Sequence, residues 1–406
     1  MHEPALTMPD LARPQVETLR RSGRDASRTG ILMAISHFPP AIGGTERQAH
    51  ALAAGLAAAG HRVTVLTLER PGVPARELWD GVVVERALNG RGRGVIYAIT
   101  YGMSLLRHLR RLRPGHAILH AHHLYLEAMI AVLMKHLTSM PTLAKVACGG
   151  SDGDFARLHR IGGTVMLPLL RRLDRVVAVS REIRNELTGH GFIPEHIVEI
   201  PNGVDTHRFA PAADPQAAQL QTGLGPETVL FLGRLDAQKG LDTALAAWAR
   251  VAGRRPAARL FLAGDGPARG PLEERARELR LGERVRFLGP RLDPERLLQA
   301  SQVFVLPSRS EGMSNALLEA MATGLPCVAS RIGGNSDLVK HGVTGLLSPP
   351  ADAVTLADML CALLEDGSLR YRLGTAARTA VIEQYGMDRV VREYTKLYAT
   401  LTGALA

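Results

Sequence analysis

Residues 308–327 read Ser-Arg-Ser-Glu-Gly-Met-Ser-Asn-Ala-Leu-Leu-Glu-Ala-Met-Ala-Thr-Gly-Leu-Pro-Cys and hold two carboxylates, Glu311 and Glu319, with seven residues between them. The run Val303-Phe304-Val305-Leu306 before them predicts a strand. Ala316, Leu317, Leu318, Ala320, Met321 and Ala322 predict a helix, which Gly324-Leu325-Pro326 ends. Glu311 then falls in the loop at the carboxyl end of a strand, and Glu319 about one turn inside the next helix. Open α/β sheets bind ligands outside the carboxyl ends of their strands. Gly312, Met313, Ser314 and Asn315 add backbone N–H groups at the helix start, where anions are favoured. Taken singly, Glu311 as a first-turn partner of the helix dipole and Glu319 as a solvated helix residue also fit.

Working outward, short β-branched or apolar runs alternate with helix-forming ones, the pattern of a parallel sheet covered on both faces. One series of predicted strands is Ile31–Ile35, Arg62–Thr67, Val82–Glu85, Ile118–Ala121, Thr142–Ala147, Val176–Val179 and Ile197–Ile200, with a helix over Glu46–Ala59. A second is Val229–Leu232, Leu260–Ala263, Val285–Leu288, Val303–Leu306, Cys327–Ala329 and Gly345–Leu347. A chain of 406 residues exceeds the usual size of one core, so two domains of roughly 150 to 200 residues are expected. Pro201, Pro211 and Pro215 among short polar residues set the boundary, giving domains 30–205 and 206–386 and a terminal segment 387–406. Residues 1–29 are polar and arginine-rich, and are read as an extension outside the fold.

Hydrophobic residues at 46%, aromatic at 4% and charged at 22% describe an ordinary α/β chain, and no apolar run approaches the ~20 residues that span a bilayer. Cys148, Cys327 and Cys361 have no C-x-x-C spacing and are expected as reduced thiols in a cytoplasm. His120, His122 and His123 lack the further ligands of a zinc site, so no metal site is expected. Lys and Arg outnumber Asp and Glu by 49 to 39, a net charge of +10. Arg91, Arg93, Arg107, Arg110, Arg111 and Arg113 lie in one segment without an acidic residue, around a stripe of Leu105, Leu106, Leu109 and Leu112. Two readings fit: a helix that packs its leucines inward, or a basic amphipathic helix on the surface of an anionic membrane. No nucleic-acid-binding module accompanies the charge.

Further patches occur in order: His37-Phe38-Pro39-Pro40 with Gly43-Gly44-Thr45-Glu46; His120-Ala121-His122; Val179-Ser180; Pro201-Asn202-Gly203-Val204-Asp205; Gly233-Arg234-Leu235 with Lys239-Gly240; Gly264-Asp265-Gly266-Pro267; and Gly333-Gly334 with Gly342-Val343-Thr344-Gly345. With the Glu311–Glu319 segment these resemble the retaining glycosyltransferases of the GT-B fold, family 4, from about Ile31 to the C-terminus. The resemblance implies two Rossmann-like domains facing across a cleft, with the last helix, Met387 to Leu401, crossing back onto the first. It implies a nucleotide diphosphate sugar as donor and no separate cofactor. By motif position it assigns Glu319 to the ribose hydroxyls and Glu311, as a catalytic residue, to the transferred sugar beside the amides of Gly312 to Asn315. It likewise assigns His122 a catalytic role opposite the donor, and Leu288 and Arg291 to the base pocket. Asp152 sits in a glycine-bearing loop that faces the acceptor or caps its own turn.

Gly43 and Gly44 allow a close approach of backbone to diphosphate, or a tight strand-to-helix turn. Arg234 and Lys239 place two cations in a loop after a strand. Such cations stabilise the charge that develops on a leaving diphosphate, the guanidinium as a fork and the ammonium as a compact charge. The chain is taken to lack the Asp-x-Asp pair that holds a bridging metal, so metal-independent transfer is expected. The function expected is a cytoplasmic glycosyltransferase, peripheral at the inner membrane face. It moves a sugar to a lipid-linked or other glycan acceptor in envelope or exopolysaccharide synthesis. A nucleotide-sugar epimerase of the same fold and a non-catalytic sugar-nucleotide binder are the rivals.

Overall fold

The computed structural model describes residues 29–403 apart from 41–42, 150–152, 161–162 and 164. The first sheet contains β1 (Gly30–Ala34), β2 (Arg62–Leu68), β3 (Arg76–Trp79), β4 (Val82–Leu88), β5 (Ile118–His122), β6 (Thr142–Val146), β7 (Arg175–Ala178) and β8 (Ile197–Glu199), in the order 3-4-2-1-5-6-7-8. The second contains β9 (Thr228–Leu232), β10 (Arg259–Ala263), β11 (Val285–Gly289), β12 (Val303–Leu306), β13 (Cys327–Ser330) and β14 (Leu346–Ser348), in the order 11-10-9-12-13-14. β1, β5, β6, β9 and β12 are buried along their whole lengths, as parallel strands covered on both faces must be. The result is two Rossmann-like α/β units, as the alternating pattern implies.

One strand departs from the expected parallel sheet. β3, which the pattern did not show, pairs antiparallel with β4. The cause is local: Asp80 (φ 49°) and Gly81 (φ 76°) form a two-residue turn between Trp79 and Val82. Asp-Gly tolerates the left-handed backbone such a hairpin needs.

The strand order reverses between β1 and β5 in the first sheet and between β9 and β12 in the second. Crevices at such reversals are where these sheets take ligands. The loop with Gly43 and Gly44 follows β1, His122 ends β5, the Arg234–Lys239 loop follows β9 and the Glu311 loop follows β12, so both crevices carry motif residues.

The chain passes between the units twice. Val204 donates to Tyr385 O (2.9 Å) and Met387 to Val204 O (2.9 Å), so the outgoing and returning segments run side by side. The last helix, Met387–Thr402, packs on the first unit, where Val390, Val391, Tyr394, Leu397 and Tyr398 join Ile31, Met33, Leu52 and Leu56 in one core. Each such side chain contributes about 1.5–3 kcal/mol on burial, several times what helix propensity supplies. Gly55 permits the approach, since a Cβ there would lie 2.6 Å from Val391 Cγ2.

The leucine stripe of the helix Gly94–Leu112 faces inward, with Leu105 and Leu109 fully buried. A different set faces out: Val95, Ile96, Ile99 and Met103, then Arg107 and Arg110. Among the described residues no helix is long and apolar enough to cross a membrane.

Candidate active site between the two sheets

Glu311 is buried in the loop after β12, and its Oε1 accepts hydrogen bonds from Lys239 Nζ (2.6 Å) and Ser308 Oγ (2.7 Å). Burial works against the charge on Lys239, but Glu311 and then Asp236 outweigh it, and the Lys239 pKa is raised. Lys239 is therefore a fixed cation held against a fixed anion. Arg234 is not part of that pair. Its side chain is 72% exposed and reaches Asp236 at 3.8 Å. The loop after β9 thus offers one buried, clamped cation and one exposed cation held loosely by Asp236 rather than two alike.

Ser314 Oγ accepts from Leu317 N (3.3 Å) and caps the helix Asn315–Ala322, which puts Glu319 in its second turn. Glu319 Oε1 accepts from Arg47 Nη2 (3.0 Å), while Oε2 is buried with no partner among the described residues. Burial raises the Glu319 pKa, against the opposing effects of Arg47 and Arg208. Arg47 belongs to the helix Gly44–Ala58 that follows the Gly43-Gly44 loop, so the contact joins residues 272 apart in sequence.

More contacts cross the cleft. Asn202 Nδ2 donates to Asn315 Oδ1 (2.9 Å) and Asn315 Nδ2 to Gly44 O (3.0 Å), while Asn202 N approaches Met313 Sδ at 3.2 Å. Behind Asn202 lies Lys145 of β6, whose Nζ donates to Asn202 Oδ1 (2.8 Å). Burial pushes the Lys145 pKa down to about 8. A Cβ on Gly312 would meet Ala147 O at 2.4 Å, so the loop after β12 lies directly on the backbone of the first unit. Gly43 precedes the helix in extended backbone (φ −169°), with the Glu46 carboxylate folded back over it.

On the first-sheet side, His122 is buried and stacks on His120 with centroids 4.4 Å apart. His120 is held by Tyr398 Oη at 2.8 Å from Nδ1, a structural role. Burial first, then His120 and Lys145, hold the His122 pKa well below the ordinary value, so the ring is neutral at physiological pH. Its Nε2 is buried with no partner among the described residues. Glu127, also buried, accepts from Tyr101 Oη (2.7 Å) and Ser36 Oγ at the end of β1.

Two expectations need comment here. An Asp-x-Asp spacing does occur, at Asp152-Gly153-Asp154, which corrects the reading that the chain has none. Asp154 is spent on protein partners: it accepts from Tyr125 Oη (3.0 Å) and Ala147 N (3.1 Å), and is 1% exposed. Asp152 itself lies outside the described residues. In the expected base pocket, Leu288 is half-buried at the end of β11, and Arg291 is fixed by Asp293 through two bonds of 2.8 Å.

The sequence reading did not single out Arg47, Lys145, Ser308 or Glu127. Asn202 was visible only as part of the Pro201–Asp205 patch, with no role of its own.

Residues 226–366 match the family described as "Glycosyl transferases group 1", and residues 42–208 the one described as "Glycosyltransferase Family 4". Glycogen synthase of Mycobacterium tuberculosis is 31% identical over 400 residues, covering 91% of this chain and 94% of its own. The N-acetyl-alpha-D-glucosaminyl L-malate synthase of Bacillus anthracis is 27% identical, covering 88% of this chain and 94% of its own. Among solved structures, sucrose-phosphate synthase from Thermosynechococcus elongatus superposes with a TM-score of 0.79 at 26% identity, over 93% of this chain and all of that one. The Anabaena protein HepE, crystallised with UDP-glucose, gives 0.77 at 19% identity, over 92% of this chain and all of that one. The chain belongs to the family 4 glycosyltransferases of the GT-B fold.

Proposed function

We propose that this glycosyltransferase moves a hexose or related sugar from a nucleoside diphosphate to a lipid-linked or other glycan acceptor, with retention at the anomeric carbon and without a metal ion or separate cofactor. The observation that carries this reading is the unequal saturation of its two glutamates. Glu319 keeps one buried oxygen open, suited to a hydroxyl of the ribose diol. Glu311 has an oxygen already hydrogen-bonded by Lys239 and Ser308, which weakens it as a nucleophile and suits it to orienting sugar hydroxyls. Transfer on one face through an oxocarbenium-like state then needs no covalent step on the enzyme. In this reading Lys239 and the exposed Arg234 stabilise the charge that develops on the leaving diphosphate.

HepE crystals contain UDP, glucose or UDP-glucose, which supports a sugar nucleotide here. A thermal-shift panel of UDP, GDP, ADP and their sugars tests the donor site. The cognate diphosphate at about 100 times its dissociation constant stabilises the fold by about 2.7 kcal/mol, and no shift with any of them contradicts the reading.

The acceptor side supports work at the inner face of an anionic membrane. Val95, Ile96, Ile99 and Met103 stand exposed on the helix Gly94–Leu112, beside arginines with no acidic residue between Glu85 and Glu127. Each cation close to such a surface contributes about 1 kcal/mol. Replacing Arg107, Arg110 and Arg113 by Gln should reduce binding to vesicles of anionic lipid, while equal binding would leave the helix a solvated face.

A further inference from the structure

Arg47 reaches out of the first unit to a carboxylate of the second. Its guanidinium is 44% exposed while Glu319 is almost enclosed, so the contact gives Glu319 a charge partner at little cost to Arg47. Arg47 Nη2 engages only Oε1, and Oε2 points to no group among the described residues although it is buried. A buried carboxylate with one oxygen pinned and the other open is arranged to receive a donor from outside the protein.

Arg208 and Glu295 are the other charged groups that act on Glu319. They pair with each other at 2.9 Å, which leaves Arg47 as the direct hydrogen-bonding cation. We infer that Arg47 is a positioning residue for the nucleotide: it crosses the cleft, holds Oε1 of Glu319 and turns the carboxylate so that Oε2 faces the ribose diol. Nucleotide binding thereby depends on a residue of the first unit. This rests on the donor-site assignment proposed above.

The test is calorimetry of the full chain with the tightest-binding of UDP, GDP and ADP, at about pH 6, 7.5 and 9. Without Arg47, burial drives Glu319 toward its neutral form, so Arg47→Gln should bind about ten- to a hundredfold more weakly near neutral pH. The loss should deepen toward pH 6 and shrink toward pH 9 as the carboxylate re-ionises, and Arg47→Lys should restore most of the affinity. Wild-type affinity in Arg47→Gln at every pH overturns the inference, as does a loss of equal size at all three, which marks a packing defect. Glu319→Gln separates the two readings. If it binds the diphosphate normally, the donor-site assignment fails; if it binds weakly while Arg47→Gln does not, only the role of Arg47 fails. Thermal unfolding of each variant in the absence of nucleotide identifies one that has not folded.

Discussion

The two sides of the cleft handle buried charge in opposite ways. On the second-sheet side, Lys239 and Glu311 neutralise each other at 2.6 Å, and both come from loops directly after central strands. On the first-sheet side, Lys145 is buried against a neutral amide, Asn202, beside two stacked neutral imidazoles. An ammonium carries three donors, so Lys239 can keep Glu311 and still meet a ligand phosphate. An unpaired buried cation costs stability, and here it holds the Asn202 contact that spans the cleft. One side of the cleft thus holds its buried cation with a carboxylate and the other with a neutral amide.

The largest expected effect tests the costly half of that contrast. The folded pKa of Lys145, about 8, lies below its ordinary 10.5, so between those values the unfolded chain holds the proton and the folded one does not. Stability therefore rises with pH across this window, and the penalty is complete below it. Relative to Lys145→Met, the wild type should gain about 3 kcal/mol between about pH 8 and 10.5. The tyrosines that titrate nearby are common to both chains, and a pH-independent difference in chemical denaturation would remove the contrast.

Next comes the paired side. Lys239→Ala should raise the barrier by about 1.5–3 kcal/mol, a loss of roughly ten- to a hundredfold in turnover with weaker donor binding. Unchanged kinetics would make the loop after β9 a turn and nothing more. Gly312→Ala sharpens the boundary between the two sides, because its Cβ would enter the space of Ala147 O. Steady-state kinetics should show turnover falling by about tenfold while free nucleoside diphosphate still binds, since closure fails before binding does. The smallest effect expected is none: saturating chelator leaves transfer intact, and a rate that collapses and returns with magnesium or manganese contradicts the account of Lys239 as the charge that a metal would otherwise supply.

The contrast also explains what could be read from sequence. Glu311 and Glu319 were legible because strand, loop and helix lie within 20 consecutive residues, each with its own local signal, whereas Ser314 was read only as a backbone donor and not as the helix cap it is. The strands β1, β5, β9 and β12 were legible for the same reason. β3 was missed although Asp80-Gly81 announces a hairpin, because the α/β alternation drew attention to parallel strands. The leucine stripe at 105–112 was visible, but periodicity alone did not say that Val95, Ile96, Ile99 and Met103 would be the exposed face. Arg47 and Lys145 were not legible, since their partners lie 272 and 57 residues away: Arg47 meets Glu319 only where the two units face each other, and Lys145 meets Asn202 only once β6, β7 and β8 pair in the first sheet. Asp154 carries a metal-type spacing but folds into a structural role with Tyr125 and Ala147.

The most direct measurement is the pair of glutamate variants read by two methods, calorimetry with the free nucleoside diphosphate and kinetics with the full sugar donor. Glu319→Gln keeps shape and loses the charged acceptor for the ribose, so it should bind the diphosphate about tenfold or more weakly. Glu311→Gln leaves Lys239 free of its partner, so diphosphate affinity should hold or tighten while turnover of the sugar donor falls. If instead Glu311→Gln binds the free diphosphate much more weakly and Glu319→Gln binds it normally, the donor lies in the cleft the other way round and the division of roles between the two glutamates is wrong.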